Sequence, residues 1–323
     1  MTTVALLGDV MLGRGVAQRL RSTSPEDVWA PDLRDVLGRC DVVVANLECC
    51  ISLRGRETRR IAGKPFFFRA PPAAIGCLEA IGARAVSLAN NHALDYEEDA
   101  LVDTLAHLAA AGIAVTGAGV GPRCAAAAAF VPAGEARMAL IGVSDHPREY
   151  AARRGRCGVA WADLPRACPQ WLLAEVARAR READLVVVFP HWGPNMTRGP
   201  APWQRTRARE LLDAGADLVA GHSAHVFHGI ERVDDRCVLY DLGDTVDDYA
   251  RDPVMRNDLG VLALWRPGGH PEIELVGLRL DFARTSLAQG ADADWIAERL
   301  RRACAELGSS VRRLDVNRFA VEG

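Results

Sequence analysis

The sequence predicts an α/β fold in which many of the strands run parallel. Three observations carry that expectation. Short Val-, Leu- and Ala-rich runs alternate along the chain with segments of helical spacing, which is the pattern of strand–crossover–strand units. Six of the runs end in Asp, Glu, Asn or His, as in open sheets that carry their chemistry at the strands' carboxyl ends. The chain has 323 residues, 49% hydrophobic and 25% charged, an ordinary globular composition with enough material for a large buried core.

The elements follow in order. Val4 to Leu7 is a buried strand that delivers Gly8-Asp9, with Asp9 aimed at the crevice; a helix through Arg21 follows. A helix from Pro31 to Arg39 precedes the strand Asp41–Ala45, which ends in Asn46-Leu47-Glu48. Residues 52–70 are polar and Arg-rich around Phe66-Phe67-Phe68. They read equally as a solvated loop pinned by phenylalanine packing and as a flap over substrate. A helix from Pro71 to Gly82 leads to the strand Ala85–Ala89, which delivers Asn90-Asn91-His92 and then Asp95. Asp95 is close enough to orient the His92 ring through its second nitrogen. A helix from Glu97 to Ala111 packs on the sheet by its apolar spacing. The strand Ile113–Thr116 enters a Gly-rich stretch, 117–121, whose spacing is wrong for a dinucleotide loop. The Ala run 125–129 reads as helix-compatible filler.

The second half repeats the pattern. A strand from Arg137 to Val143 ends near Asp145-His146, where the histidine reads as structural, and residues 148–169 form an excursion over the site. A helix from Gln170 to Arg181 feeds the buried strand Asp184–Phe189, which ends in Pro190-His191-Trp192-Gly193. A helix from Pro202 to Ala214 leads to Ala216–Ala220 and the turn Gly221-His222-Ser223-Ala224-His225. Two histidines three apart on one Gly-flanked turn point to metal binding or acid–base work. The strand Cys237–Tyr240 ends in Asp241-Leu242-Gly243-Asp244, and residues 259–265 and 273–282 form two antiparallel strands. An amphipathic helix over 292–307 and a polar end complete the chain. The expected organisation is one domain, 1–285, with a C-terminal helical extension, 286–323, packed on it.

Bulk properties exclude several functions. A net charge of −3 gives no polybasic footprint for nucleic acid. Of 39 Lys+Arg only Lys64 is lysine, which reads as codon bias rather than as anion binding. Nine cysteines without a C-x-x-C pair predict reduced thiols and a cytoplasmic protein. No window approaches a membrane span, and the first strand lies too near Met1 to leave room for an export signal or anchor.

If the strands are parallel, Asp9, Glu48, Asn91, His92, His191, His222, His225, Asp241 and Asp244 converge on one rim. Mixed imidazole, amide and carboxylate donors suit a divalent cation such as Ca, Mn or Zn better than a thiolate site would. In their order and spacing, Gly8-Asp9, Asn46-Leu47-Glu48, Asn90-Asn91-His92 with Asp95, His191-Trp192-Gly193, Gly221-His222-x-x-His225 and Tyr240-x-Leu242-Gly243-Asp244 resemble the CapA family of poly-γ-glutamate capsule-synthesis proteins, over residues 3–265. That family is similar to calcineurin-like metallophosphoesterases. The resemblance implies a four-layer αββα sandwich with mixed sheets and a metal site at one rim. It assigns Asp9, Glu48, Asn91, His191, His222 and His225 to the metal site, and His92, backed by Asp95, to acid–base work.

This chain departs from the family pattern in three ways. Met11 stands where an Asp-x-His motif has its histidine, Asp241 and Asp244 stand where Ser and Asn are usual, and the family's membrane anchor is not expected here. The resemblance extends to epimerases of ribosomal peptide tailoring, lasso peptides included. On that reading two His/Asp pairs invert a peptide α-carbon, one removing the proton and the other returning it. His92–Asp95 is the first pair; His222 or His225 with Asp244 is the second, with His222 taken as catalytic and His225 as a metal ligand. The expected partners are a peptide substrate and a leader-binding protein, with no membrane and no nucleic acid. The alternative is a metal-dependent hydrolase of phosphoesters or amides. A third reading keeps the fold as a polymer-binding protein without catalysis.

Overall fold

Two faces of burial explain why the strands read as unbroken apolar runs. Val4 and Leu6 enter one hydrophobic cluster while Ala5 and Leu7 enter another, and Val42/Val44 and Val43/Ala45 divide the same way. Side chains alternate across a strand, so a strand covered on both sides needs apolar residues at every position. In the computed structural model, which describes residues 2–269 and 272–322, these strands form two sheets stacked face to face.

In chain order the first half contains β1 (Val4–Val10), α1 (Arg14–Arg19), α2 (Pro31–Leu37), β2 (Val42–Leu47), β3 (Cys50–Ile51), β4 (Arg69–Ala70), α3 (Ile75–Ala80), β5 (Ala83–Ser87), α4 (Glu97–Ala110), β6 (Ala114–Thr116), β7 (Ala118–Val120) and α5 (Pro122–Ala126). The second half contains β8 (Ala129–Ala133), β9 (Ala136–Ser144), β10 (Cys157–Val159), α6 (Gln170–Glu182), β11 (Leu185–His191), α7 (Pro202–Asp213), β12 (Leu218–Ala220), β13 (Ile230–Val233), β14 (Arg236–Leu239) and β15 (Asp244–Val246). It ends with β16 (Leu259–Trp265), β17 (Ile273–Asp281), β18 (Arg284–Leu287), α8 (Gly290–Ala305), β19 (Ser310–Asp315) and β20 (Arg318–Glu322).

The larger sheet has the order β19-β20-β17-β16-β1-β2-β5-β6, with β15 also on β1 and β18 on β17. Its β1, β2, β5 and β6 are parallel, and β16, β17, β19 and β20 are antiparallel. The smaller sheet has the order β13-β14-β12-β11-β9-β8. Its four central strands are parallel and its two edges antiparallel. Between the sheets lie Leu6, Val44, Leu140, Val187, Phe189 and Leu275. Outside the larger sheet pack Leu33 and Leu37 of α2, Leu78 of α3 and Leu101 and Leu108 of α4; outside the smaller one pack Leu172 and Val176 of α6 and Leu211 of α7. The architecture is a four-layer αββα sandwich with mixed sheets. Each of these fully buried side chains contributes about 1.5–3 kcal/mol of transfer free energy.

Several elements differ from the sequence reading. The Ala-rich stretch expected as helix-compatible filler divides into α5 and the edge strand β8, because Ala129, Val131 and Ala133 point inward at strand spacing. The Gly-rich stretch yields β7, which pairs with β10 in a two-stranded sheet. After α8 the chain returns as β19 and β20 rather than as a polar end, with Phe319 and Val321 inserted between the sheets. α8 itself places Ile296, Leu300 and Cys304 in that same layer. No helix among the described residues is long and apolar enough to cross a membrane.

Candidate metal centre

Parallel strands in both sheets end on one rim, and the residues there face each other across the sandwich. From the larger sheet β1 supplies Asp9, β2 leads to Glu48, and β15 supplies Asp244, which pairs in register with Asp9. From the smaller sheet β11 ends at His191, which forms an isolated bridge to His222 beyond β12. The glycines before Asp9 and His222 are there for close approach. A Cβ on Gly8 would lie 1.9 Å from the Gly243 carbonyl oxygen, and one on Gly221 2.3 Å from the Tyr240 carbonyl oxygen. The turn after β12 holds Ser223 at φ 119° and His225 at φ 60°, conformations that L-residues keep only when their surroundings enforce them. Asp241 enforces this one by accepting the Ala224 and Gly243 amides, each at 2.8 Å.

Asp9 is the hub. Its Oδ1 accepts from Asn46 Nδ2 at 2.7 Å and lies 3.2 Å from His222 Nδ1 and 3.8 Å from His191 Nδ1. Its Oδ2 accepts the Ser223 amide at 3.2 Å and lies 3.8 Å from His225 Nδ1. Two donor groups share it: Asp9, His191 and His222 on one side, and Asp9, Glu48, His225 and Asp244 on the other, with ligand atoms in each group within 4.8 Å of one another. Buried polar atoms are almost always paired. Here both Glu48 oxygens, His191 Nε2, His222 Nε2, Asn91 Oδ1 and Asp244 Oδ2 are buried without a hydrogen-bond partner among the described residues. Six orphaned donor atoms on one rim are what a cation site requires. The mixture of carboxylate, imidazole and amide fits a divalent first-row metal.

The electrostatics agree. Burial, then the Asp9 charge, pushes the Glu48 carboxyl well above the ordinary range. Burial, then Asp247 and Asp9, does the same to Asp244. Burial and the His222 charge hold His191 well below the usual imidazole range. Burial also opposes ionisation of Asp9, but hydrogen bonding and charge from His222, with His225 and Asn46, outweigh it and lower its pKa. A bound cation inverts the penalty on the carboxylates.

His92 stands across the rim. Its Nδ1 meets Asp95 Oδ2 at 2.5 Å, and its ring stacks on Phe68 at 3.7 Å. Burial lowers its pKa to about 4, against the opposing pull of Asp95. Asp95 also accepts the Phe68 amide at 2.7 Å and the Tyr150 hydroxyl at 3.0 Å, and lies 3.2 Å from Lys64 Nζ. Tyr150 and Lys64 were not singled out by sequence for this duty. The sole lysine was the one signal available, and it is a buried partner of the acid–base pair.

The structure separates the two histidines of the turn. His225 Nδ1 meets Asp244 Oδ1 at 2.8 Å, whereas His222 is wholly buried against Asp9 and His191, their Nδ1 atoms 2.8 Å apart. Of the two histidines the sequence offered to Asp244, the structure pairs His225 with it, and His222, taken there as catalytic, lies instead in the donor group with Asp9 and His191. Asn91 lies beside the group, its backbone carbonyl accepting from Lys64 at 2.9 Å. His146 pairs with Asp145 and sits 5.2 Å from the His191 ring. A cavity of about 760 Å³ opens on Asn91, His92 and His225 and is walled by Phe66, Phe68 and Tyr249. The 52–70 segment is thus both a pinned loop and a wall of the cavity. Phe68 is buried and Phe66 is 54% exposed.

Residues 3–249 match the family model described as bacterial capsule synthesis protein PGA_cap. The chain is 32% identical over 357 residues to a probable polyglutamine synthesis accessory protein of Mycobacterium tuberculosis, an alignment covering 96% of this chain and 93% of the relative. It is 27% identical to the PGA biosynthesis protein CapA of Bacillus subtilis and 28% identical to the capsule biosynthesis protein CapA of Bacillus anthracis. Each alignment covers 76% of this chain, and 63% and 60% of those longer relatives.

Proposed function

The chain belongs to the bacterial capsule synthesis protein family, and on that premise we propose that it is a metal-dependent hydrolase acting on an amide bond of an acidic, peptide-type chain. The observation that carries this reading is the set of six orphaned donor atoms around Asp9. Asp9, Glu48, His191, His222, His225 and Asp244 would hold the metal, with Asn91 beside them. A bound divalent cation supplies Lewis acidity and acidifies water at neutral pH. The protein's own contribution lies in His92. Its Nδ1 is committed to Asp95, so the neutral ring keeps Nε2 free to take a proton from water or to return one to the leaving nitrogen. Tyr150, Lys64 and the Phe68 amide keep Asp95 in place. An amide is favoured over a phosphate because relatives are described as a probable polyglutamine synthesis accessory protein and as a PGA biosynthesis protein, names that point to a peptide-type chain.

A second reading draws on a separate observation. Two histidines on the cavity wall each carry a carboxylate, His92–Asp95 and His225–Asp244. Such a pair of dyads suits removal of a peptide α-proton from one face and its return from the other, which is epimerisation. On this reading the partner is a peptide substrate with a leader-binding protein. Nine cysteines, all free, support a cytoplasmic setting for either activity.

One experiment separates the two. Chelator-treated protein reloaded with Mn2+ is incubated in D2O with oligoglutamate, with peptides encoded near its gene and with p-nitrophenyl phosphate as a phosphoester, and the products are weighed by mass spectrometry. Cleavage that disappears with chelator and with His92→Ala supports the hydrolase. Uptake of one deuteron without cleavage transfers the site to the isomerases. An unchanged mass for every peptide, with phosphate released from a phosphoester, overturns both.

A further inference from the structure

We infer that Arg14 is the specificity-determining residue of the cavity, holding a substrate carboxylate one ring's width from the reacting centre. The inference deepens the proposed action on an acidic peptide chain and rests on that reading. Arg14 opens α1 at φ 48°, so the backbone is held in a region disfavoured for a side chain of this size. Its Nε is anchored by Asp248 at 3.3 Å. Its guanidinium carbon lies 5.3 Å from the Phe66 ring centroid, 5.7 Å from Phe68 and 5.9 Å from Tyr249. Among the described residues, neither terminal nitrogen makes a hydrogen bond, and Asp248 is the one carboxylate paired with the guanidinium. An arginine with one edge fixed and its outer fork free is arranged to receive a planar carboxylate in two parallel bonds.

The aromatic rings define where that carboxylate would lie. Phe68, under Arg14, is stacked on His92 at 3.7 Å; Tyr249, also under Arg14, meets the His225 ring edge-on at 5.3 Å. Arg14 is therefore separated by a single ring from the histidine of each His/Asp pair, and Arg14, both rings and both histidines line the same cavity. The apolar faces of Phe66, Phe68 and Tyr249 suit the methylenes of an extended side chain. A carboxylate gripped by Arg14 then sets the bond one residue away over His92 and His225. Of the other cations on the cavity wall, Lys64 is committed to Asp95 and the Asn91 carbonyl; Arg251 is held through Nε by Asp258 at 3.2 Å, much as Arg14 is by Asp248, but Arg14 is the one set over the rings that back His92 and His225.

The test is calorimetric and does not depend on turnover. Triglutamate, its carboxamide counterpart triglutamine, and inorganic phosphate are titrated into the full chain, chelated and Mn2+-loaded. The wild type is compared with Arg14→Gln and Arg14→Lys, after melting curves establish that all three are folded. Triglutamate is expected to bind the wild type and to lose tenfold or more in affinity with Arg14→Gln. Arg14→Lys should lose less, since it keeps the charge without the fork. Triglutamine should bind weakly and equally to all three. Equal triglutamate affinity in wild type and Arg14→Gln overturns the inference, as does Arg14-dependent binding confined to phosphate. If the binding difference holds while no bond is cleaved, the hydrolase reading fails and the carboxylate site stands.

Discussion

Glu48 shows what the rim costs without a cation. It is wholly buried, neither oxygen has a partner, and Asp9 faces it. A buried polar group left unpaired costs about 1–3 kcal/mol, and function accounts for keeping it. Glu48→Gln preserves shape and removes the acid. The metal-free variant should therefore melt a few degrees above metal-free wild type at neutral pH, because it no longer carries an acid whose ionisation burial and the Asp9 charge oppose. It should also lose the stabilisation that Mn2+ gives the wild type. Thermal scans with and without chelator check both; a variant that melts lower when metal-free, yet still responds to Mn2+, would mean that Glu48 is structural. His92 predicts differently. His92→Ala should lower turnover by roughly 10²–10⁴-fold while bound Mn2+, measured by elemental analysis, stays unchanged, because His92 lies outside both donor groups. The residues legible in the sequence were those that close a strand, since strand ends announce themselves. Lys64, Tyr249 and Arg14 sit on loops or at a helix start, and only the tertiary fold brings them to the cavity; Tyr150, at the end of a short 3-10 helix, reaches Asp95 by the same route.

Elements were legible where both of their faces are buried. β1, β2, β9 and β11 read as apolar runs because each is covered on two sides. β15 has three residues and gains its place by pairing with β1, more than two hundred residues away, so no local pattern marks it. β19 was invisible for another reason. Its side chains are mostly exposed and include Arg312 and Arg313, the charged edge that discourages strand addition by another chain. α8 was legible by its periodicity, but its role was not. Leu300 and Ile296 fill the layer between the sheets, both wholly buried. Leu300→Ala is expected to cost about 2–5 kcal/mol, as much as a substitution in β1. A loss under 1 kcal/mol in urea denaturation would show instead that α8 is a removable cover.

At the scale of the whole molecule, two sheets that each end their parallel strands on one rim bring imidazoles from one half of the chain onto carboxylates from the other. The same close packing buries histidines that must stay neutral, and this ties stability to pH. His228, three residues beyond the turn, is the case clear of the donor groups. It is 2% exposed, its Nε2 lies 3.0 Å from the Thr197 carbonyl oxygen, and its Nδ1 has no partner. Burial, with the Arg299 charge, lowers its pKa from 6.5 to about 4 against the Thr197 carbonyl. Between those values the unfolded chain binds a proton that the folded chain refuses, so stability rises with pH across the window. The contribution is complete above pH 6.5 and is lost as pH falls towards 4. From pH 7 to pH 5 the loss assignable to this residue is about 2 kcal/mol. His228→Gln keeps a donor for Thr197 and removes the titration, so the stability gap between variant and wild type should shift by that amount in the variant's favour over the same interval. Urea denaturation at the two pH values measures it. Parallel pH dependence in the two proteins would mean that His228 takes up its proton without unfolding, through an opening of the 194–200 loop that carries Thr197.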